Sequence, residues 1–229
     1  MQEIQDTITT YLTVIRKNTL FEGMTEAEIR THFQTFSAFF KAYDKGEILN
    51  MTGTPLTRFG LVVYGCVEIL TDDMEGNRTI MAEVVPGNTF GESLCFLKTE
   101  NPDIYISASE NAGVFWLSPQ KLFSGTYSEE TAVLEKRFAQ MIAKRTLAMN
   151  HRIQILSKLT LRDKIMTYFT FLAKNSHSEQ LTVPFNREDM AAYIGTNRSA
   201  LSRELSVMKK EGIIEYHKNS FRIHVQKHL

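Results

Sequence analysis

Only two cysteines occur in the 229 residues, Cys66 and Cys95, too few and too widely spaced for a zinc or iron–sulfur site. Both read as small core residues. No apolar run approaches the roughly 20 residues that a membrane-spanning helix requires. The first residues, Met1 to Asp6, are acidic where a secretion signal is basic. A cytoplasmic protein with no membrane contact is therefore expected. There is no Gly-rich phosphate loop, no Ser-His-Asp set and no metal-ligand spacing, and the six histidines are scattered. Catalysis is not expected, and neither a required cofactor nor a metal is implied. Internal repeats and low-complexity tracts are missing too.

Net charge is also lacking, but the zero hides an asymmetry. Residues 1–156 carry 14 Lys and Arg against 19 Asp and Glu, whereas residues 157–229 carry 12 against 7. The first part stands at −5 and the second at +5. A basic C-terminal part suits a polyanionic partner, and an acidic N-terminal part does not.

What is present follows a clear order. Tyr11, Leu12 and Ile15 suggest a short opening helix. Thr25-Glu26-Ala27-Glu28 has the form of a capping box, followed by Ile29 and Phe33 on one face. From about Phe39 to Trp116 short apolar runs, such as Leu61 to Leu70 and Thr79 to Val85, alternate with turn chemistry. The turns are Lys45-Gly46, Thr52-Gly53, Glu75-Gly76-Asn77 and Pro86-Gly87-Asn88. That spacing describes an all-β roll or barrel.

From Ser128 to about Lys158 there is neither Gly nor Pro, and the pattern becomes helical. Leu134, Met141, Ala148 and Ile155 form one heptad-spaced column; Ile142, Met149 and Leu156 form a second beside it. One column can pack on the chain's own roll, which leaves the other for a second copy. Arg145 and Arg152 interrupt a perfect zipper. Ser157 to Asp163 reads as a hinge, Ile165 to Leu172 as an amphipathic helix, Asn175 to Glu179 as a polar loop and Leu181 to Phe185 as a short strand.

The last part is the most specific. Asn186 caps a short helix, Arg187 to Ile194; Gly195 supplies a tight turn; and Thr196 to Lys210 forms a second helix, with Thr196 or Asn197 at its cap. Leu201, Leu205 and Met208 share the inner face. The outer face, Ser199, Ser202, Arg203, Ser206 and Lys210, contains no carboxylate. Ile213 to Tyr216 and Phe221 to Val225 then flank a turn at Lys218 to Ser220. Two ordinary amphipathic helices would explain the first half of this pattern, but the hairpin behind them makes it a winged helix-turn-helix, a DNA-binding module.

Taken together, these residues resemble the Crp–Fnr family, transcription factors of the cAMP receptor protein and fumarate–nitrate reduction regulator type. The resemblance covers nearly the whole chain. It is carried by G-x-x-F-G-E at Gly87 to Glu92, by Gly195 to Leu205 (G-T-N-R-S-A-L-S-R-E-L), and by the Tyr64-Gly65-Cys66-Val67 strand turn. It implies an α+β chain in three parts: a cyclic-nucleotide-binding-like β-roll (a double-stranded β-helix) over 1–127, a dimerisation helix and hinge over 128–158, and a winged helix-turn-helix domain over 159–229. The implied assembly is a homodimer on a near-palindromic duplex, with RNA polymerase as a possible further partner. The residues expected at DNA are Arg187, Asn197, Arg198, Ser199, Ser202, Arg203 and Lys210. Arg203 matches an arginine that the family sends to base edges; Arg187, Lys209, Lys210 and Lys218 suit phosphates. The family's best-known members carry a glutamate where this chain has Ser199, so the resemblance does not carry their half-site over.

Gly91, Glu92 and Ser93 are the expected effector pocket, since Gly-Glu meets the ribose in members that bind cyclic nucleotides. The Arg-Ser pair that holds the cyclic phosphate should fall near Asn101-Pro102-Asp103-Ile104, and no arginine lies between Arg78 and Arg137. The expected effector is therefore a small molecule other than cAMP or cGMP. The N-terminal cysteine cluster of the oxygen sensors is missing from residues 1–40. His32 and His151 read as ordinary histidines, and His217 and His224 could face each other across the wing. The alternatives are a regulatory subunit that works through protein partners, or a constitutive or redox-gated regulator.

Overall fold

The computed structural model describes residues 2–72, 74–75, 78–97, 103–120, 122, 129–176, 180–183 and 185–224. They form two compact units, Met1–Ile142 and Ala143–Leu229.

Unit 1 opens with helices α1 (Gln2–Thr10), α2 (Leu12–Ile15) and α3 (Glu26–Thr35). Helix α1 was not expected. Its Thr-rich sequence has weak helix propensity, and Ile8, fully buried in the core, holds it by tertiary packing. The capping box forms as read: Glu28 N donates to Thr25 Oγ1 at 3.3 Å, and Thr25 N donates to Glu28 Oε2 at 2.7 Å.

Strands β1 (Phe39–Tyr43), β2 (Ile48–Asn50), β3 (Phe59–Tyr64), β4 (Val67–Asp72), β5 (Arg78–Val84), β6 (Thr89–Phe90), β7 (Tyr105–Ala108) and β8 (Ala112–Leu117) build the roll. Two four-stranded antiparallel sheets result, ordered β1-β8-β3-β6 and β2-β7-β4-β5. The region read as strands and turns also contains a short helix, α4 (Glu92–Leu97). Strands β3 and β8 are apolar without alternation because both of their faces are covered. Leu61, Val63, Phe115 and Leu117 join the core that includes α3, while Val62, Val114 and Trp116 join the core shared with Val67 and Ile106 of the other sheet. Two glycines make room for rings on these strands. A Cβ on Gly60 would stand 2.2 Å from Phe90 Cζ, and one on Gly113 would stand 2.1 Å from Tyr64 Cε1.

The long helix α5 (Glu129–Leu156) runs across the boundary between the units. Its first column does not all pack on the roll. Leu134 and Met141 do, but Ile155 is buried in the core of unit 2 and Ala148 is exposed. In the second column Ile142 is half-buried against the roll core, while Met149 is 60% exposed and Leu156 40%.

Unit 2 continues with α6 (Leu161–Ser176), β9 (Gln180–Thr182), α7 (Arg187–Ile194), α8 (Arg198–Lys210), β10 (Ile214–His217) and β11 (Ser220–Ile223). The strand read at Leu181 to Phe185 starts one residue earlier and pairs with β11, so the expected hairpin is the larger part of a three-stranded sheet, β10-β11-β9. Phe169, Leu181, Met190, Leu201, Leu205 and Phe221 share its core. The register pairs His217 with Ser220, and His224 Nε2 lies 3.4 Å from Glu215 Oε1. His217 and His224 therefore do not face each other.

Several readings fall outside the described residues: Gly76 and Asn77 of one turn, Asn101 and Pro102 of the expected phosphate loop, Ser128, residues 177–179 of the polar loop, Pro184 and Val225. Among the described residues, no helix is long and apolar enough to cross a membrane.

Candidate nucleic-acid interface

The interface is set by how α8 is held. Asn186 caps α7, its side-chain oxygen accepting from Asp189 N at 2.9 Å. At the end of α7, Gly195 adopts φ 71° and ψ 53°, the left-handed conformation that closes a helix. A Cβ at this glycine would lie 2.7 Å from Leu156 Cδ2. Both the turn and the packing therefore require Gly. Asn197, not Thr196, caps α8: its Oδ1 accepts from Ala200 N at 2.8 Å and from Ser199 Oγ at 2.7 Å. Buried Leu201, Leu205 and Met208 then fix the rotation of α8 about its axis.

That rotation turns Arg198, Ser199, Ser202, Arg203, Ser206 and Lys210 outward, and all are exposed. No bond to Arg203 or Lys210 is seen among the described residues. Ser206 Oγ donates back to Ser202 O at 2.9 Å. Arg198 Nη1 stands 3.9 Å from Glu188 Oε2, both groups being well exposed, a contact that a phosphate would readily replace. Because Asn197 spends its oxygen on the cap, its amide NH2 is the group it can offer outward.

Arg187 does something different from the other expected DNA residues. Its guanidinium lies over the rings of Phe221, at 4.8 Å, and Tyr216, at 5.2 Å, and Nη2 donates to Lys218 O at 2.8 Å. Burial pulls its pKa below the usual guanidinium value. Lys218 occupies the wing turn with φ 52°, a strained value for a residue other than Gly. Arg187 thus holds that turn against α7. Lys209 similarly leans on the wing, with Nζ 4.9 Å from the Tyr216 ring centre.

One group that organises the interface was not found in the sequence. Arg162, in the first turn of α6, donates through Nε to Glu204 Oε1 at 2.7 Å and through Nη1 to Glu211 Oε2 at 2.7 Å. It ties α6 to both the middle and the end of α8. The E-x6-E spacing from Glu204 in α8 to Glu211 at its C-cap puts the two carboxylates two turns apart, but their partner lies 42 residues before the nearer one.

The effector residues are split by the fold. Gly91 has φ 79°, and a Cβ there would stand 2.6 Å from Leu56 Cδ2. Glu92 begins α4 and is only 2% exposed, whereas Ser93 is exposed on the outside. Beside α4 lies an open cleft of about 300 Å³ walled by Leu56, Cys95, Phe96 and Pro119. Cys95 is buried, and burial pushes its thiol up to about 11. Asp103 is exposed at the end of the loop where a phosphate clamp would stand.

Residues 40–144 match the cyclic nucleotide-binding domain model, and residues 163–229 match the Crp-like helix-turn-helix domain model. The chain belongs to the Crp–Fnr family. As a Crp–Fnr protein it is a DNA-binding transcription regulator with a cyclic-nucleotide-binding domain ahead of its helix-turn-helix. It is 22% identical to the transcriptional activator protein FnrL of Cereibacter sphaeroides over 190 residues, which is 77% of this chain and 72% of FnrL. Over 169 residues it is 21% identical to the CRP-like protein Clp of Xanthomonas euvesicatoria, covering 71% of this chain and 74% of Clp. In fold it is similar to the c-di-GMP responsive global regulator CLP of Xanthomonas campestris, with a TM-score of 0.53 at 16% identity over 88% of this chain and all of the other.

Proposed function

We propose that this Crp–Fnr regulator is a homodimer that reads a near-palindromic duplex, and that a small molecule other than cAMP or cGMP, bound in the roll, sets its DNA affinity. The observation that carries the reading is the outer face of α8. It presents Arg198, Ser199, Ser202, Arg203 and Lys210 with no carboxylate among them, on a helix whose rotation is fixed by its buried face. In the major groove Arg203 would take guanine O6 and N7 through its two-pronged guanidinium, while the hydroxyls of Ser199 and Ser202 accept or donate. Lys210 and Lys218 would neutralise phosphates. Arg187 acts one step back, by placing the wing.

Dimerisation is supported by α5. Met149 and Ile153 are each 60% exposed, an apolar stripe that a second copy's helix would cover. The two-fold axis would set the recognition helices about 34 Å apart, one turn of duplex. Exposed Asp103, and the lack of any arginine between Arg78 and Arg137, favour an effector without a cyclic phosphate. Its binding would shift a two-state equilibrium towards the DNA-competent form. The protein would work in the cytoplasm, with RNA polymerase as its partner at promoters.

Size-exclusion chromatography with light scattering tests the assembly, and a thermal-shift screen of metabolites, with cAMP and cGMP included, tests the effector. A dimer that is stabilised by a compound other than these two nucleotides is expected. A monomer, or a strong cAMP response, would overturn the corresponding half of the proposal.

A further inference from the structure

We infer that unit 2 contains a second small-molecule site, a cleft between the end of α5 and α6 that takes an organic anion. The cleft, of about 490 Å³, lies within the volume range of ligand pockets. The chain reverses at residues 157–160, so that α6 runs back along the last turns of α5. His151 meets Phe171 at one end, with ring centres 3.8 Å apart, and Lys158 and Asp163 line the other.

The charges are unevenly distributed. Asp163 accepts from Thr160 Oγ1 at 2.7 Å and balances Lys158 at its end of the cleft. Lys174, eleven residues further along α6 and so about 16 Å away, is exposed and forms no ion pair among the described residues. Near it, the His151 ring lines the cleft, with Nδ1 on its buried side and without a hydrogen-bond partner among the described residues, an uncommon state for a buried polar atom that a ligand group would relieve once the ring turns. Thr170 adds a hydroxyl to the same end, and Met166 and Phe171 make the middle apolar. A surface lysine alone would be a solvated charge. Here the lysine, the unsatisfied imidazole and the hydroxyl converge on a concave wall. The arrangement suits a ligand with a phosphate or carboxylate at the Lys174 end and an apolar or aromatic body lying over Met166 and Phe171.

A second copy need not obstruct this cleft. His151 is two residues from both Met149 and Ile153, and on a helix of 3.6 residues per turn a two-residue step leads to the opposite side. The exposed apolar stripe and the cleft therefore occupy opposite faces of α5. A ligand in the cleft would tie the last turns of α5 to α6, and α6 holds α8 through Arg162. That regulatory consequence rests on the proposed DNA-binding role; the binding itself does not.

The test uses full-length protein with 13C-labelled histidine, titrated at fixed ionic strength with inorganic pyrophosphate and, separately, with citrate. His151 is assigned from its loss in His151→Asn. A saturable movement of the His151 ring signal is expected, with the more effective anion separating phosphate from carboxylate recognition. Exposed Lys174→Gln should weaken that response about tenfold or more, as expected when a charged partner is removed. His217 and His224 on the wing serve as controls, because polyanions also bind a DNA-facing surface. Movement confined to these two, a still His151 signal with both anions, or an unchanged response in Lys174→Gln would overturn the site.

Discussion

Arg162 and Glu211 meet through two prongs, Nη1 to Oε2 at 2.7 Å and Nη2 to Oε1 at 3.2 Å, so that the start of α6 grips the end of the DNA-reading helix. The remaining Nε–H goes to Glu204 on the same helix. A planar guanidinium can satisfy both carboxylates at once, and an ammonium cannot match that geometry.

Arg162→Lys should therefore lower DNA affinity without changing its salt dependence, because no phosphate contact is lost. The pairs are partly solvated, so a drop of at most about tenfold is expected. Anisotropy titrations at several salt concentrations check this. Unchanged affinity in Arg162→Lys would show that the fork to Glu204 and Glu211 does not set the position of α8.

Arg187→Ala should act first on folding. It removes a cation stacked on Phe221 and Tyr216, together with the bond to Lys218 O that supports a strained turn. A loss of about 1–2 kcal/mol is expected in chemical denaturation. Weakened DNA binding with unchanged stability would make Arg187 a direct phosphate ligand instead.

Cys95 should be silent towards alkylation in the native protein. At pH 8 a thiol with a pKa of about 11 is ionised in only about one molecule in a thousand, and this one is also buried. Iodoacetamide followed by mass spectrometry should modify Cys95 only after denaturation. Fast native labelling there would show that the α4 cleft opens widely.

Acid should loosen the α1–α3 corner. The Glu26 carboxyl is held below its ordinary value by hydrogen bonds from Arg30 and Thr9, and Glu28 by bonds from Thr25. Groups whose folded pKa is depressed contribute stability above their unfolded value, near 4.5, and lose it as pH falls through the folded value. The protection of the Glu26–Thr35 amides, measured against their intrinsic exchange rate at each pH, should fall below about pH 4.5, and Glu28→Gln should remove much of that dependence. Protection there that is insensitive to acid would contradict the assignment.

Features that depend on neighbours in the chain were legible in the sequence. The Thr25 box, the Asn186 cap, the Gly195 turn and the buried face of α8 each involve residues at most a few positions apart. What the sequence concealed depends on distant partners. Helix α1 exists because Ile8 finds the roll core, Arg162 serves α8 across more than forty residues, and Arg187 faces a wing formed thirty residues later. The column Leu134, Met141, Ala148 and Ile155 looked uniform, but heptad spacing carries no mark of the boundary at Ile142, where the helix passes from one core to the next. Gly91-Glu92-Ser93 read as one pocket; yet at the start of α4, Glu92 turns inward while Ser93 turns out.

DNA reading by α8 is tested most directly by selecting bound duplexes from a random pool with the full-length protein, then titrating the selected and a shuffled duplex against wild type and Arg203→Ala. A near-palindromic consensus with half-sites one helical turn apart is expected. Arg203→Ala should lose about 1–3 kcal/mol on the selected duplex and almost nothing on the shuffled one. No enrichment, or equal binding of both duplexes at every salt concentration, would contradict DNA reading by α8.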